Sequence, residues 1–156
     1  MVEISIPGYQ DISLKHLVFD YNGTLAVSGE LLDGVSDALR RLANHLEVHI
    51  ATADTFEKVR SAVSGLPCRL SILGEQSQAE AKQKYVRNLG SGQTAAIGNG
   101  RNDRLMLQEA KLGIAIVGLE GAAVETVLAA DIVCSSILDA FELLLSPKRL
   151  IATLRS

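Results

Sequence analysis

Short apolar runs, each ending in a polar or glycine-rich turn, alternate along this chain with segments whose apolar residues recur at helical period. Strand and helix in regular succession predict a parallel sheet with helices on both faces, a three-layer α/β fold of Rossmann-like type. Strands are expected over residues 2–6, 14–19, 47–51, 69–73, 94–97, 113–117 and 131–134. Helices are expected over 35–43, 55–63, 78–89, 103–110, 122–129, 137–145 and 148–154, with a hairpin-like stretch at 26–34. Sheets of this kind bind ligands just beyond the carboxyl ends of their strands, which directs attention to the polar residues following each run.

The length of 156 residues suits one domain, and no linker or low-complexity stretch divides it, so residues 1–156 are read as a single unit. Apolar residues make up 47% and aromatics only 4%, so the core must be built from Leu, Ile, Val and Ala. Eighteen acidic residues against fifteen basic ones give a net charge of −3, without the basic footprint of a nucleic-acid binder. The first residues lack a basic start followed by a long apolar run, and charged residues, Gly or Pro interrupt every later apolar stretch. No membrane partner and a cytoplasmic location are therefore expected. Cys68 and Cys134 stand singly in apolar surroundings and read as reduced core residues rather than zinc ligands or a disulfide.

Polar clusters follow several of the runs. The first long strand delivers Asp20, Tyr21, Asn22, Gly23 and Thr24. A carboxylate at a strand end can act as a nucleophile while the turning backbone presents N–H groups to an anion, and the same residues also suit an ordinary turn cap. Thr52 and Ala53 follow the next strand, where hydroxyl and amide can hold a phosphoryl oxygen or simply cap a helix. The helix at 78–89 offers Lys82 and Lys84 as cations that can reach back over the sheet. A later strand ends in Gly98-Asn99-Gly100-Arg101-Asn102-Asp103. The third glycine of a dinucleotide fingerprint is missing there, and no phosphate-binding P-loop occurs anywhere in the chain.

In chain order these clusters resemble the motifs of the haloacid dehalogenase (HAD) superfamily of aspartate-nucleophile phosphotransferases. Asp20-Tyr21-Asn22-Gly23-Thr24 is similar to the first motif, Thr52 to the second and Lys82 to the third. Gly98 to Asp103 with the following Leu105 resembles the last motif in the form used by P-type ATPases. The resemblance implies that Asp20 attacks phosphorus to form an aspartyl phosphate. It implies a Mg²⁺ ion held by Asp20, the backbone carbonyl of Asn22 and the last motif, through Asn99 and Asp103. It further implies that Thr52, Ala53 and Lys82 bind phosphoryl oxygens, with Tyr21, Gly23, Thr24 and Asn102 contacting a small phosphorylated substrate or phosphoryl donor. Lys82 is preferred to Lys84 for its spacing from Val86 and Leu89.

Two positions depart from the pattern. Asn22 stands where the phosphatases carry a second Asp as general acid and base, and an amide cannot exchange a proton at neutral pH. Loss of such a group costs ~10²–10⁴-fold in rate, so a slow enzyme that favours good leaving groups is expected. Asn99 stands where a magnesium-binding Asp is usual, which implies weaker ion binding. Two other classes compete with this reading: a catalytically silent phosphate- or partner-binding module on the same scaffold, and, ranked last, a receiver-like signalling domain. The gaps between motifs hold no cap domain, so a partner, a homo-oligomer or a bulky substrate is expected to cover the open site. The stripe of Leu138, Phe141 and Leu145, continued by Leu150, Ile151 and Leu154, reads either as that contact or as a core-facing helix.

Overall fold

The structure, a computed structural model, describes residues 1–54 and 56–156. Its first element is an antiparallel hairpin of β1 (Val2–Ser5) and β2 (Asp11–Leu14), in register from Val2 opposite Leu14 to Ser5 opposite Asp11. The single strand expected over 14–19 is therefore two. Leu14 closes the hairpin, exposed Lys15 bridges by donating to the Gln93 carbonyl at 2.8 Å, and β3 (His16–Phe19) begins the main sheet. The burial rhythm of β2, with Ile12 and Leu14 inside, is that of a strand wet on one side, whereas β3 is buried throughout.

After β3 come a short hairpin, β4 (Ala26–Val27) with β5 (Glu30–Leu31), and then α1 (Val35–Ala43). Next follow β6 (Glu47–Thr52), α2 (Phe56–Ala62), β7 (Arg69–Ile72), α3 (Gln78–Leu89) and β8 (Thr94–Gly98). A 3₁₀ turn at Arg101–Asp103 leads into α4 (Arg104–Glu109), so the helix expected from 103 opens as a tighter turn. The chain ends with β9 (Leu112–Ile116), α5 (Val124–Ala129), β10 (Ile132–Cys134), α6 (Ile137–Leu145) and α7 (Pro147–Leu154). Thr55, expected to open the second helix, lies outside the described residues.

Six strands form one parallel sheet in the order β10-β9-β8-β3-β6-β7, as the alternation of elements predicts. Alternate residues of the central strands feed two cores. Leu17, Phe19, Val48 and Ile50 face a core shared with Leu39 of α1, Phe141 of α6 and Leu150 of α7, and the rings of Phe19 and Phe141 meet edge to face at 5.5 Å. On the other face, small residues Ala51, Ala96 and Ala115 let α3 and α4 approach through Val86, Met106 and Leu107. Phe141 and Leu150 are thus core residues, while Leu138 is 39% exposed. Cys134 is buried as expected, whereas Cys68, just before β7, is only half-buried.

Among the described residues, only the β4–β5 hairpin and α1 separate β3 from β6, and only α2 and β7 separate β6 from α3. No helix of the described residues is long and apolar enough to cross a membrane.

Candidate active site

Three residues from three elements form a buried chain of charges beyond the carboxyl ends of β3 and β8. Asp20 follows β3 on the side of the sheet that carries Val18, facing α3. From that helix the Lys82 ammonium donates to Asp20 Oδ1 at 2.7 Å and to Asp103 Oδ1 at 2.6 Å. Lys82 and Asp103 have no solvent exposure, and Asp20 has 8%. The other oxygen of Asp103 accepts the N–H groups of Asn99 at 3.0 Å and Gly100 at 2.9 Å. Gly98 makes this packing feasible, because a Cβ there would lie 2.5 Å from the Asp103 carboxyl.

Burial and the neighbouring Asp103 charge push the Asp20 carboxyl up to about 7, against the pull of Lys82. Burial draws the Lys82 ammonium down, but the two carboxylates together hold it above its usual value. When both carboxyl groups are ionised, one cation between them leaves an excess negative charge in low-dielectric surroundings.

Above Asp20 opens a polar cavity of about 410 Å³, bordered by Asn22, Thr52, Ala53, Asn99 and Asn102 among the expected residues. Thr52 is 3% exposed and its Oγ1 accepts the Asp54 N–H at 3.1 Å. The Asn22 side chain accepts from the Gly29 N–H at 2.9 Å and donates to the Asp54 carboxylate. Asn99 donates to the Gly121 carbonyl at 3.0 Å and accepts from the Thr24 hydroxyl at 3.4 Å, tying two loops together. Asn102 donates to Gln78 at 2.6 Å at the start of α3. Lys84, the alternative cation, is exposed.

Other expected residues are placed differently. The Tyr21 side chain turns away from the cavity, fully buried, and donates to the Gly29 carbonyl at 2.9 Å. The Gly23 N–H donates to Ala26 at 2.7 Å and the Thr24 N–H to Tyr21 at 3.3 Å, so the turn satisfies itself instead of offering these amides to an anion. Asp103 is fully buried and does not border the cavity, its Oδ1 accepting from Lys82 and its Oδ2 from two amides.

Sequence reasoning missed two carboxylates at this cavity, Asp54 and Glu120. Glu120 arrives on the loop after β9, far from any motif. A Cβ on Gly23, which has φ +79°, would meet Glu120 Oε2 at 2.5 Å and the Asn99 amide at 2.3 Å. Glycine thus gives both groups room above the turn. Asp54 could have been found from its place two residues after Thr52, on the loop leaving β6.

No protein-family model matches the chain. A stretch of 87 residues is 44% identical to the uncharacterized protein MJ0073 of Methanocaldococcus jannaschii, covering 56% of this chain and 84% of that protein. A phospholipid-transporting ATPase ID of Mus musculus is 31% identical over 120 residues, which are 72% of this chain but 9% of the ATPase. Among solved structures, the 3-deoxy-D-manno-octulosonate 8-phosphate phosphatase of Moraxella catarrhalis, in complex with magnesium, phosphate and its sugar, superposes with a TM-score of 0.68 at 20% identity. That match covers 91% of this chain and 94% of the phosphatase. A putative HAD superfamily hydrolase of Legionella pneumophila gives 0.68 at 19% identity, over 90% of this chain and 87% of the hydrolase.

Proposed function

We propose, for a chain that belongs to the family of MJ0073 and has the fold of the HAD phosphatases, a magnesium-dependent phosphatase or phosphotransferase acting through a phosphorylated Asp20. One observation carries this reading: Asp20 is held through a single oxygen by Lys82, at 2.7 Å, at the floor of an open polar cavity. That bond orients the carboxylate and leaves Oδ2 as the attacking atom. Asp103, with Gly98 beneath it, is a positioning residue that keeps the ammonium in place.

The donor set fits a hard divalent cation. Asp20, Asn99 and Glu120 offer oxygens at the cavity, joined by the backbone carbonyl of Asn22, and the surplus negative charge favours an ion there. When bound, Mg²⁺ would draw negative charge off the phosphoryl oxygens. Thr52 and Ala53 are the groups on the β6 side that can orient those oxygens, while Lys82, without solvent exposure, lies behind Asp20 and acts through it rather than bordering the cavity.

Asn22 cannot pass a proton to a leaving oxygen, and its amide is committed to Gly29 and Asp54. Acyl and aryl phosphates, whose leaving groups depart without protonation, should therefore be turned over faster than alkyl phosphates, and the phosphorylated Asp20 should persist. To test this, the full chain is incubated with Mg²⁺ and an aryl or acyl phosphate and examined by intact mass. A hydroxylamine-sensitive phosphate adduct, absent from Asp20→Ala, is expected. No adduct and no turnover would overturn the proposal in favour of a phosphate- or partner-binding module.

A further inference from the structure

The geometry points to a second metal site, of zinc class, at the amino-terminal end of the same strands, formed by His16, Glu47 and His49. His16 Nδ1 lies 3.3 Å from His49 Nε2 and 3.5 Å from Glu47 Oε2. One donor atom from each residue falls within 4.8 Å of the other two. Donors about 2.0–2.1 Å from a tetrahedral zinc stand about 3.4 Å apart, so two edges of the tetrahedron already have the required length. The third edge closes by rotation of Glu47, whose side chain is 41% exposed.

The strand register explains the convergence. β3 and β6 run parallel with His16 opposite Glu47 and Val18 opposite His49, so both imidazoles emerge on the face covered by α3. His16 and His49 are 7% and 1% exposed. Their buried rings meet edge to face with centroids 5.3 Å apart.

The surroundings supply what a ligating histidine needs on its other nitrogen. His49 Nδ1 lies 2.9 Å from the Tyr85 hydroxyl, which also accepts from Ser71 Oγ at 3.2 Å. An Nδ1–H donated to Tyr85 fixes the tautomer that leaves the Nε2 lone pair pointing at His16 and Glu47. Burial, reinforced by His16, pushes His49 down to about 4, so the ring is neutral and able to ligate at physiological pH. Two imidazoles and one carboxylate, reached from solvent past Glu47, select a borderline cation such as zinc or cobalt over magnesium, which prefers oxygen donors throughout. Arg69, 3.7 Å from Glu47 and 73% exposed, would swing aside as the ion enters. Without an ion, the same contacts serve as a hydrogen bond between the rings.

The test uses the full-length, chelator-treated chain with Mg²⁺ in excess, so that the oxygen site at the opposite end of the sheet does not compete. Titration with Co²⁺ is followed by its visible absorption, and Zn²⁺ by calorimetry. One Co²⁺ per chain, displaced by Zn²⁺ and unchanged in Asp20→Asn, is expected. Tyr85→Phe should weaken uptake by about ten- to a hundredfold, and Glu47→Gln by about tenfold or more. His49→Gln should abolish it. If that variant fails to fold, the half-exposed Glu47→Gln still decides the matter. Absence of uptake by the folded wild type, or uptake unchanged in Glu47→Gln and Tyr85→Phe, would overturn the site. Either result is independent of whether Asp20 becomes phosphorylated.

Discussion

The two ends of β3 and β6 carry ionisable clusters that solve the problem of burial in opposite ways. At the carboxyl end, the Lys82 ammonium lies within 2.7 Å of both Asp20 and Asp103, and the carboxyl groups outnumber the cation. At the amino end, His16 and His49 are buried together, and burial pulls both below the ordinary imidazole value, His49 to about 4. One helix supports both, since α3 sends Lys82 to one cluster and Tyr85 to the other. Residues three apart on a helix project from the same face, displaced along its axis by about one turn. On the proposed reading, charge retained at depth marks the end that would take a hard cation together with a phosphoryl group. Neutral nitrogen donors mark an end with a different appetite.

The largest effect that would break this comparison is functional. Asp20→Asn should lower phosphoryl turnover on the order of 10⁴-fold or more, while leaving Co²⁺ uptake at the histidines intact. A variant that kept its turnover would show that the charged end does no chemistry through this carboxylate.

Next in size is the cost of unbalancing the charged end. Lys82→Met leaves two carboxylates buried against each other, and removing one partner of a buried ion pair costs about 3–5 kcal/mol. Urea denaturation measures that loss, and a variant as stable as the wild type would refute the buried chain of charges. Asp103→Asn acts on the same cluster in a subtler way. It removes the like charge that helps raise Asp20 to about 7. The Asp20 carboxyl should then ionise at lower pH, and the acid limb of the phosphoenzyme yield should move to lower pH with it.

The neutral end should declare itself in the acid range. His49 is pushed down to about 4 from an ordinary value of 6.5, so the native state resists a proton that the unfolded chain accepts. This contribution is complete above the unfolded value and is lost as pH falls from about 6.5 towards 4, by roughly 2–3 kcal/mol. Denaturation measured with chelator present should show that slope in the wild type and a shallower one in His49→Gln. Equal slopes would mean the ring is already protonated in the native state.

Much of the charged end was legible because its chemistry sits on strand ends, where short apolar runs stop at polar residues. Asp20, Thr52 and Asn99 all follow such runs, and α3 brings in Lys82 because its helical phase matches that of Ala79 and Val86, both buried. Lys84 falls on the opposite, exposed side of the same helix. What sequence could not supply was where each bond goes. Asp103 reads as the carboxylate of the last motif, and the structure adds that it accepts from Lys82 and two amides, while the amides of Gly23 and Thr24 close their own turn. The break at Lys15 was hidden because an alternating strand ran directly into a fully buried one. The histidine end was missed altogether, since it depends on the register of two strands some thirty residues apart, with Tyr85 arriving from a third element.

Glu120 gives the smallest effect and the finest probe of the contrast. It is exposed and lies outside every motif, yet its carboxylate shares the space above Gly23 with the Asn99 amide. Asn99 is already bonded to Thr24 and Gly121, so it contributes an oxygen without charge. A carboxylate reaching the same spot from the loop after β9 restores charge that the amide lacks. Glu120→Gln should therefore raise the Mg²⁺ concentration needed for half-maximal phosphoenzyme formation by roughly fivefold, as for unit charges meeting in water-like surroundings. The difference should shrink as salt is added, because an exposed charge is screened whereas Asp20 is not. Co²⁺ uptake at the amino end should not change. If Glu120→Gln leaves the Mg²⁺ requirement untouched at low salt, the ion is held by Asp20 and the neutral oxygens alone, and the charge balance of this end rests entirely on the buried carboxylates.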